Sequence, residues 1–233
     1  MEHTSFDMLW PQVDPIPGWL TQDQARVLWS AAQQAPTAAP IVEIGSHRGR
    51  STVVLAAGGG GRQVVAIDPF VTGRLFDGDA ARRDFYAALA RTGLSDRVEL
   101  KAARSQDVYA RWNSPIGLLY VDGKHDYWSC LRDLRWARFL APGGQVLVHD
   151  AFSSIGVTTA LIRHLATDRT LRYAGRTGSL ASFILAPPTA TSTRAFLGEL
   201  PWWMRNVGIK VLLRLRARGV AARLGHTDRF DPY

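Results

Sequence analysis

The chain has almost no cysteine. Cys130 is the only one in 233 residues, so no intrachain disulfide can form. That fits a reducing compartment, and a cytoplasmic location is expected. Lysine is scarce as well: 25 of the 28 basic residues are arginine, a bias that codon usage alone can produce. No run of 18 apolar residues occurs, so no membrane-spanning helix is expected. The opening MEHTSFDM has no basic region followed by an apolar stretch, so no secretory signal is expected. Two phosphate-binding signatures are also missing. No Gly-Lys-Ser/Thr closes a P-loop, and Ser46 and His47 follow Gly45 where G-x-G-x-x-G needs a second glycine.

What is present describes a globular chain, 46% hydrophobic and 21% charged. The net charge of +8 is uneven. Residues 194–233 carry eight basic and three acidic side chains, so +5 sits in the last forty residues. The rest shows no basic cluster of the kind nucleic acid requires, and no nucleic-acid partner is expected.

The patterning predicts alternating strands and helices. Residues 1–20, with Trp10 and Trp19 among prolines, read as an irregular leader that could lid a site. Thr21 and Gln24 form a capping box ahead of a helix. Apolar strands are predicted at 41–45, 63–68, 98–103, 116–122 and 145–150. Helices fall at 51–57, 79–92 (stopped by Gly93), 105–112, 126–140 and 154–167. "APGG" (141–144) reads as a turn. LRYAG and SLASFILA, parted by "RTG", predict a closing hairpin. "PPTATSTR" (187–194) reads as a linker before a basic amphipathic segment at 201–218. There Met204, Val207, Val211 and Leu215 share a face expected to pack on protein, with contact to an anionic membrane as the less favoured reading. The parts are then a leader and helix (1–37), a main domain (38–187) and a C-terminal extension (188–233). The fold expected is α/β: a Rossmann-like doubly wound sheet, mostly parallel, with a C-terminal antiparallel hairpin and helices on both faces.

In such a sheet, ligands bind beyond the carboxyl ends of the strands. Those ends carry Gly45, Asp68, Asp122 and Asp150. In "EIGSHRGRST", Gly45 and Gly49 allow tight turns, and the following helix offers free N–H groups. Asp68 closes the second strand, where a carboxylate can take both ribose hydroxyls. "LLYVDGKHDY" runs from core strand into Asp122, Lys124, His125 and Asp126. Plainer readings exist for each: turn glycines, Asp68 as a cap, His125 and Asp126 as helix caps, His149 as an orienting group. His3, His47, His164 and His226 read as structural or solvated, and Cys130 as packing.

In combination, E-x-G-x-x-x-G-x-S (43–51), IDPF (67–70), YVDGKHDY (120–127) and APGGQVLVHDAF (141–152) resemble class I S-adenosylmethionine-dependent methyltransferases. The resemblance spans roughly 38–187. Within the class it is closest to the macrocin and mycinamicin type of metal-dependent sugar O-methyltransferases and to bacterial saccharide O-methyltransferases. It implies that Gly45, Ser46 and Ser51 line the methionine end of the cofactor, with Glu43 and Gly49 also in the cofactor site. It also implies Asp68 at the ribose, Ser105 near the adenine and Asp122 beside the sulfonium. Mg²⁺ would be held by Asp122, His149 and Asp150, where the family usually has an acidic pair in place of His149–Asp150. His125 is the implied base, with His149 second. The acceptor implied is a small molecule, a saccharide hydroxyl, and the assembly a homo-oligomer such as a dimer. The alternative is a metal-independent small-molecule O-methyltransferase using His149 or His125 alone. A nucleic-acid methyltransferase is disfavoured because no Asn/Asp-Pro-Pro-Tyr/Phe follows the fourth strand.

Overall fold

The computed structural model describes residues 5–36, 39–73 and 77–226. His3 and the boundary expected at 37/38 lie outside them. Seven strands make one sheet: β1 (Ile41–Ile44), β2 (Val64–Ile67), β3 (Val98–Lys101), β4 (Ile116–Val121), β5 (Leu140–Val148), β6 (Leu171–Thr177) and β7 (Leu180–Leu185). Their order is β3-β2-β1-β4-β5-β7-β6. The first five are parallel, and β7 joins antiparallel to both β5 and β6. This is the doubly wound sheet with a closing hairpin that the patterning predicts. The order reverses between β1 and β4, which puts a crevice beyond their carboxyl ends.

Strands β1, β2 and β4 are buried along their whole length. They therefore read as continuous apolar runs rather than alternating ones. One core lies under α2 (Gln22–Gln34), α3 (Arg50–Gly58) and α4 (Gly78–Thr92), with α1 (Phe6–Val13) outside them. The other lies under α6 (Tyr127–Leu134) and α7 (Ile155–Thr167), with Trp136 and Phe183 at its centre. The expected box caps α2: the Thr21 side chain accepts from Gln24 N–H, and the Gln24 side chain accepts from Thr21 N–H. Gly93, at φ +67°, ends α4.

Several expectations need correction. The leader is not irregular: α1 forms on a Ser5 cap, with Pro11 inside it. The helix expected at 126–140 stops at Leu134 and tightens into a 3₁₀ segment over Arg135–Phe139. "APGG" lies inside β5, which starts at Leu140. The strand bends there instead of turning, with Gly143 at φ +81° and a register shift against β4. The expected linker folds as α8 (Ala190–Gly198), because Thr189 and Ser192 build a second capping box. Helices α9 (Leu200–Arg214) and α10 (Arg218–Arg223) follow. In α9 the buried face holds Asn206 and Ile209, while Met204, Val211 and Leu215 are exposed. The face expected to pack is therefore the outer one. No helix among the described residues is long and apolar enough to cross a membrane.

Candidate active site

β4 and β5 end side by side, Val121 against Val148. Asp122 follows one, and His149 and Asp150 follow the other. A regular strand would send His149 and Asp150 to opposite faces. The strand has already ended, however, and Asp150 takes a left-handed conformation at φ +54°. Both side chains consequently reach Asp122. His149 Nδ1 lies 3.4 Å from Asp122 Oδ1 and 3.5 Å from Asp150 Oδ2.

The turn beyond holds a second left-handed residue, Phe152, at φ +60°. For a buried aromatic residue this costs on the order of 1–3 kcal/mol. Neighbours hold it in place. Phe152 N–H donates to Thr158 Oγ1 (2.9 Å), and Asn206 Nδ2 donates to the Phe152 carbonyl (3.0 Å). Ser153 Oγ donates to Asp150 Oδ1 (2.9 Å) and Lys210 Nζ to the Ser153 carbonyl (2.7 Å).

His125 stands over this cluster on the turn into α6. Its Nε2 is 3.1 Å from Asp150 Oδ2 and 3.6 Å from Asp122 Oδ1. Its side chain is 48% exposed against 4% for His149, so His125 is the one open to an incoming molecule. The nearby carboxylates of Asp122 and Asp150 raise its pKa against the opposing effect of burial. For His149, burial disfavours the charged ring, but the charges of Asp122 and Asp150 outweigh burial and lift it to about 9. The two histidines in turn hold Asp150 below the usual carboxylate range despite its burial. Tyr120 Oη donates to Asp122 Oδ2 (3.0 Å), which fixes that carboxylate from below.

His149 Nδ1 is buried and makes no hydrogen bond. Its other nitrogen, Nε2, faces Gln24 Oε1 at 3.2 Å. That oxygen already accepts Thr21 N–H, and Gln24 Nε2 donates to Ser179 Oγ. Gln24 therefore presents an acceptor, and the proton of a neutral His149 belongs on Nε2. With its pKa at about 9, the ring also carries a proton on Nδ1 toward the two carboxylates, and a cation bound between them would take that proton's place. Asp122, His149 and Asp150 bring one ligand atom each to within 4.8 Å of one another. Two carboxylates and one imidazole nitrogen suit a divalent cation, and the orphaned nitrogen is the observation that fits one.

The other sequence-predicted residues form the crevice beside this cluster. Gly45 sits at φ +92°, and a Cβ there would fall 2.1 Å from the Asp122 carbonyl, so only glycine lets β1 and β4 end this close. Gly49, at φ +84°, caps α3. Glu43 is fully buried and accepts from Ser51 Oγ and Thr52 Oγ1, both at 2.5 Å. Burial pushes its pKa up to about 7, against the pull of those hydroxyls. It faces the first turn of α3 rather than open space. Ser46 is buried under the same loop. Asp68 accepts from His47 N–H (2.9 Å) and Phe70 N–H (2.7 Å), which leaves lone pairs on both oxygens for a diol. Ser105 donates to Asp133 Oδ1 (2.5 Å), a carboxyl that burial raises to about 6. Asp126 caps α6.

Sequence reasoning missed Gln24, Tyr120, Arg50 and Asp133. Arg50 binds the carbonyls of Val13, Asp14, Ile16 and Leu20 and so straps the leader to the Gly45–Gly49 loop. Trp19 stacks on His47 beside it, ring centres 6.1 Å apart. Only Tyr120, inside YVDGKHDY, had a signal in its spacing from Asp122.

Residues 42–151 match the family model described as a methyltransferase domain. Solved structures share the fold. A cofactor-bound protein from MTB, Rv0187, has a TM-score of 0.60 at 19% identity, over 78% of this chain and 89% of that one. An O-methyltransferase from Bacillus cereus, in complex with SAH, gives 0.54 at 19%, over 77% and 88%. TomG from Streptomyces achromogenes, an O-methyltransferase involved in tomaymycin synthesis and solved with SAM, gives 0.57 at 20%, over 80% and 90%.

Proposed function

We propose that this chain is an S-adenosylmethionine-dependent O-methyltransferase that methylates a saccharide hydroxyl with the help of a divalent cation, a reading supported by its methyltransferase-domain match and by the fold it shares with O-methyltransferases. The observation that supports the metal is the convergence of Asp122, Asp150 and the buried His149 Nδ1, which makes no hydrogen bond, with one ligand atom of each within 4.8 Å of the others. Support for a sugar comes from the macrocin-type pattern of the residues. Trp128 adds to it, an exposed indole three residues beyond His125 that offers an apolar face to a sugar ring.

The methyl donor would lie in the crevice between Gly45–Gly49 and Asp68, with Asp68 accepting from the ribose diol and Ser105 near the base. Bound there, S-adenosylmethionine supplies an electrophilic methyl on a sulfonium, and a cation held by Asp122, His149 and Asp150 supplies positive charge that lowers the pKa of a nearby hydroxyl. The protein's own part is proton transfer and orientation. His125, half-exposed at the mouth, keeps its Nε2 proton toward Asp150 and accepts the hydroxyl proton on its other ring nitrogen. Asp150 and Asp122 favour the imidazolium that results. Tyr120, Ser153 and Gln24 hold the carboxylates and His149 in place, so little reorganisation is needed when the acceptor arrives.

The test is calorimetry with S-adenosylhomocysteine and Mn²⁺, followed by methyl transfer to a panel of saccharides with and without EDTA. Loss of transfer in EDTA and recovery with Mg²⁺ is expected. Full activity in EDTA on a phenolic acceptor would replace this reading with metal-independent catalysis.

A further inference from the structure

Helix α9 has two apolar faces. The inner one, with Asn206 and Ile209, packs on the domain. Met204, Val211 and Leu215, spaced seven and four apart, form the outer stripe, and they are 59%, 50% and 71% exposed. Val220 and Leu224 of the α10 region are exposed as well. Arg205 Nε donates to the Leu224 carbonyl (2.6 Å) and folds α10 back along α9. From Leu200 to His226 the chain has six basic residues and no carboxylate. Arg214, Arg216, Arg218 and Arg223 are exposed.

We propose that α9 and α10 dock this enzyme on an anionic lipid surface. A basic helix pair with an outward apolar stripe matches what an interfacial helix requires: aliphatic side chains to enter the acyl boundary and arginines to meet lipid phosphates. The charge argues against the other occupants. A second copy of this face would set four exposed arginines against four, so self-association through it is opposed. Nucleic acid would use the arginines but leave Met204, Val211 and Leu215 in water. The placement also serves the chemistry. Asn206 and Lys210, on the inner side of α9, hold the Phe152 and Ser153 carbonyls two and three residues beyond Asp150. A docked α9 would therefore hold the turn beyond Asp150 one helix diameter, roughly 10 Å, from the bilayer, near an amphiphilic acceptor presented there.

Vesicle flotation of the full chain tests this. Vesicles of phosphatidylcholine with phosphatidylglycerol should carry the protein up, and pure phosphatidylcholine should not. Binding should weaken with salt. Replacing Arg214, Arg216 and Arg218 by Glu should reduce vesicle affinity by about a hundredfold or more, from roughly fivefold per arginine. Met204→Ser with Val211→Ser and Leu215→Ser should abolish flotation while leaving the melting temperature near wild type, since all three are exposed. No flotation of wild type at low salt would overturn the proposal. Equal flotation of the serine variant would do the same. So would a wild-type dimer in sedimentation equilibrium that the serine variant converts to monomer, or wild-type binding of duplex DNA without any vesicle binding.

Discussion

His149 Nε2 lies 3.2 Å from Gln24 Oε1, a contact that ties the cap of an N-terminal helix to the end of β5 across 125 residues of sequence. Gln24 thus has two roles: it closes the capping box of α2, and it sets which nitrogen of His149 carries the proton. The roles separate by mutation. Thr21→Ala breaks the cap, costing about 1 kcal/mol, and leaves the histidine's partner in place. Gln24→Leu removes both. Mn²⁺ affinity, read by electron paramagnetic resonance, should fall about 10- to 100-fold in Gln24→Leu and stay near wild type in Thr21→Ala. Equal affinities in the two variants would show that Gln24 acts only as a cap.

The two histidines differ in access, and the difference assigns their roles. His125 is half-exposed and touches Asp150, while His149 is buried and fixed by Gln24. His125→Ala should lower kcat by about two to four orders of magnitude with S-adenosylhomocysteine affinity retained. His149→Ala should act first on Mn²⁺ affinity. Single-turnover methyl transfer at saturating Mg²⁺ separates them. If His149→Ala stops chemistry while His125→Ala is near wild type, the assignment is reversed.

What the sequence makes legible follows from the range of each interaction. IVEI, VVAI and LLYV read as strands because both faces of a parallel sheet are covered, and the polar residues just past them mark the crevice. Glu43 and Ser51 are recognisable because the loop that joins them is local, and Asp68 because it directly closes an apolar strand. Gln24 and Arg50 are not, since their partners lie 125 and about 30 residues away and no spacing rule connects them. The left-handed Asp150 is also hidden, because the residue type permits that conformation without requiring it. In α9 the periodicity is real, but two faces are apolar, and composition alone does not say which one the domain covers. "PPTATSTR" looked like a linker because its prolines outweigh the Thr189–Ser192 capping box in a reading by composition.

Asp68 carries the cofactor prediction. Its oxygens already brace His47 and Phe70 N–H, so Asp68→Ala removes both the proposed ribose partner and a loop support. S-adenosylhomocysteine binding should weaken by about 1–3 kcal/mol, the cost of leaving hydroxyls unpaired. Asp68→Asn keeps one carbonyl oxygen for the loop and should fall between. Calorimetric affinity unchanged in Asp68→Ala, with circular dichroism intact, would move the cofactor elsewhere.

Glu43 predicts a stability profile. Burial raises its carboxyl from 4.5 to about 7, although Ser51 and Thr52 donate to it. Between those two values the folded chain holds a proton at Glu43 that the unfolded chain has released. Proton linkage then makes stability fall as pH rises through this window, and the loss is complete above about pH 7. A shift of this size corresponds to about 3 kcal/mol. Glu43→Gln keeps the shape and an acceptor for a hydroxyl but cannot ionise. Relative to wild type it should gain stability progressively from pH 5 to pH 8 and differ little at pH 4.5. Urea denaturation of both proteins across that range measures the difference directly. A constant offset between the two curves would mean that Glu43 does not change its protonation on folding, and that its place beneath α3 is purely steric.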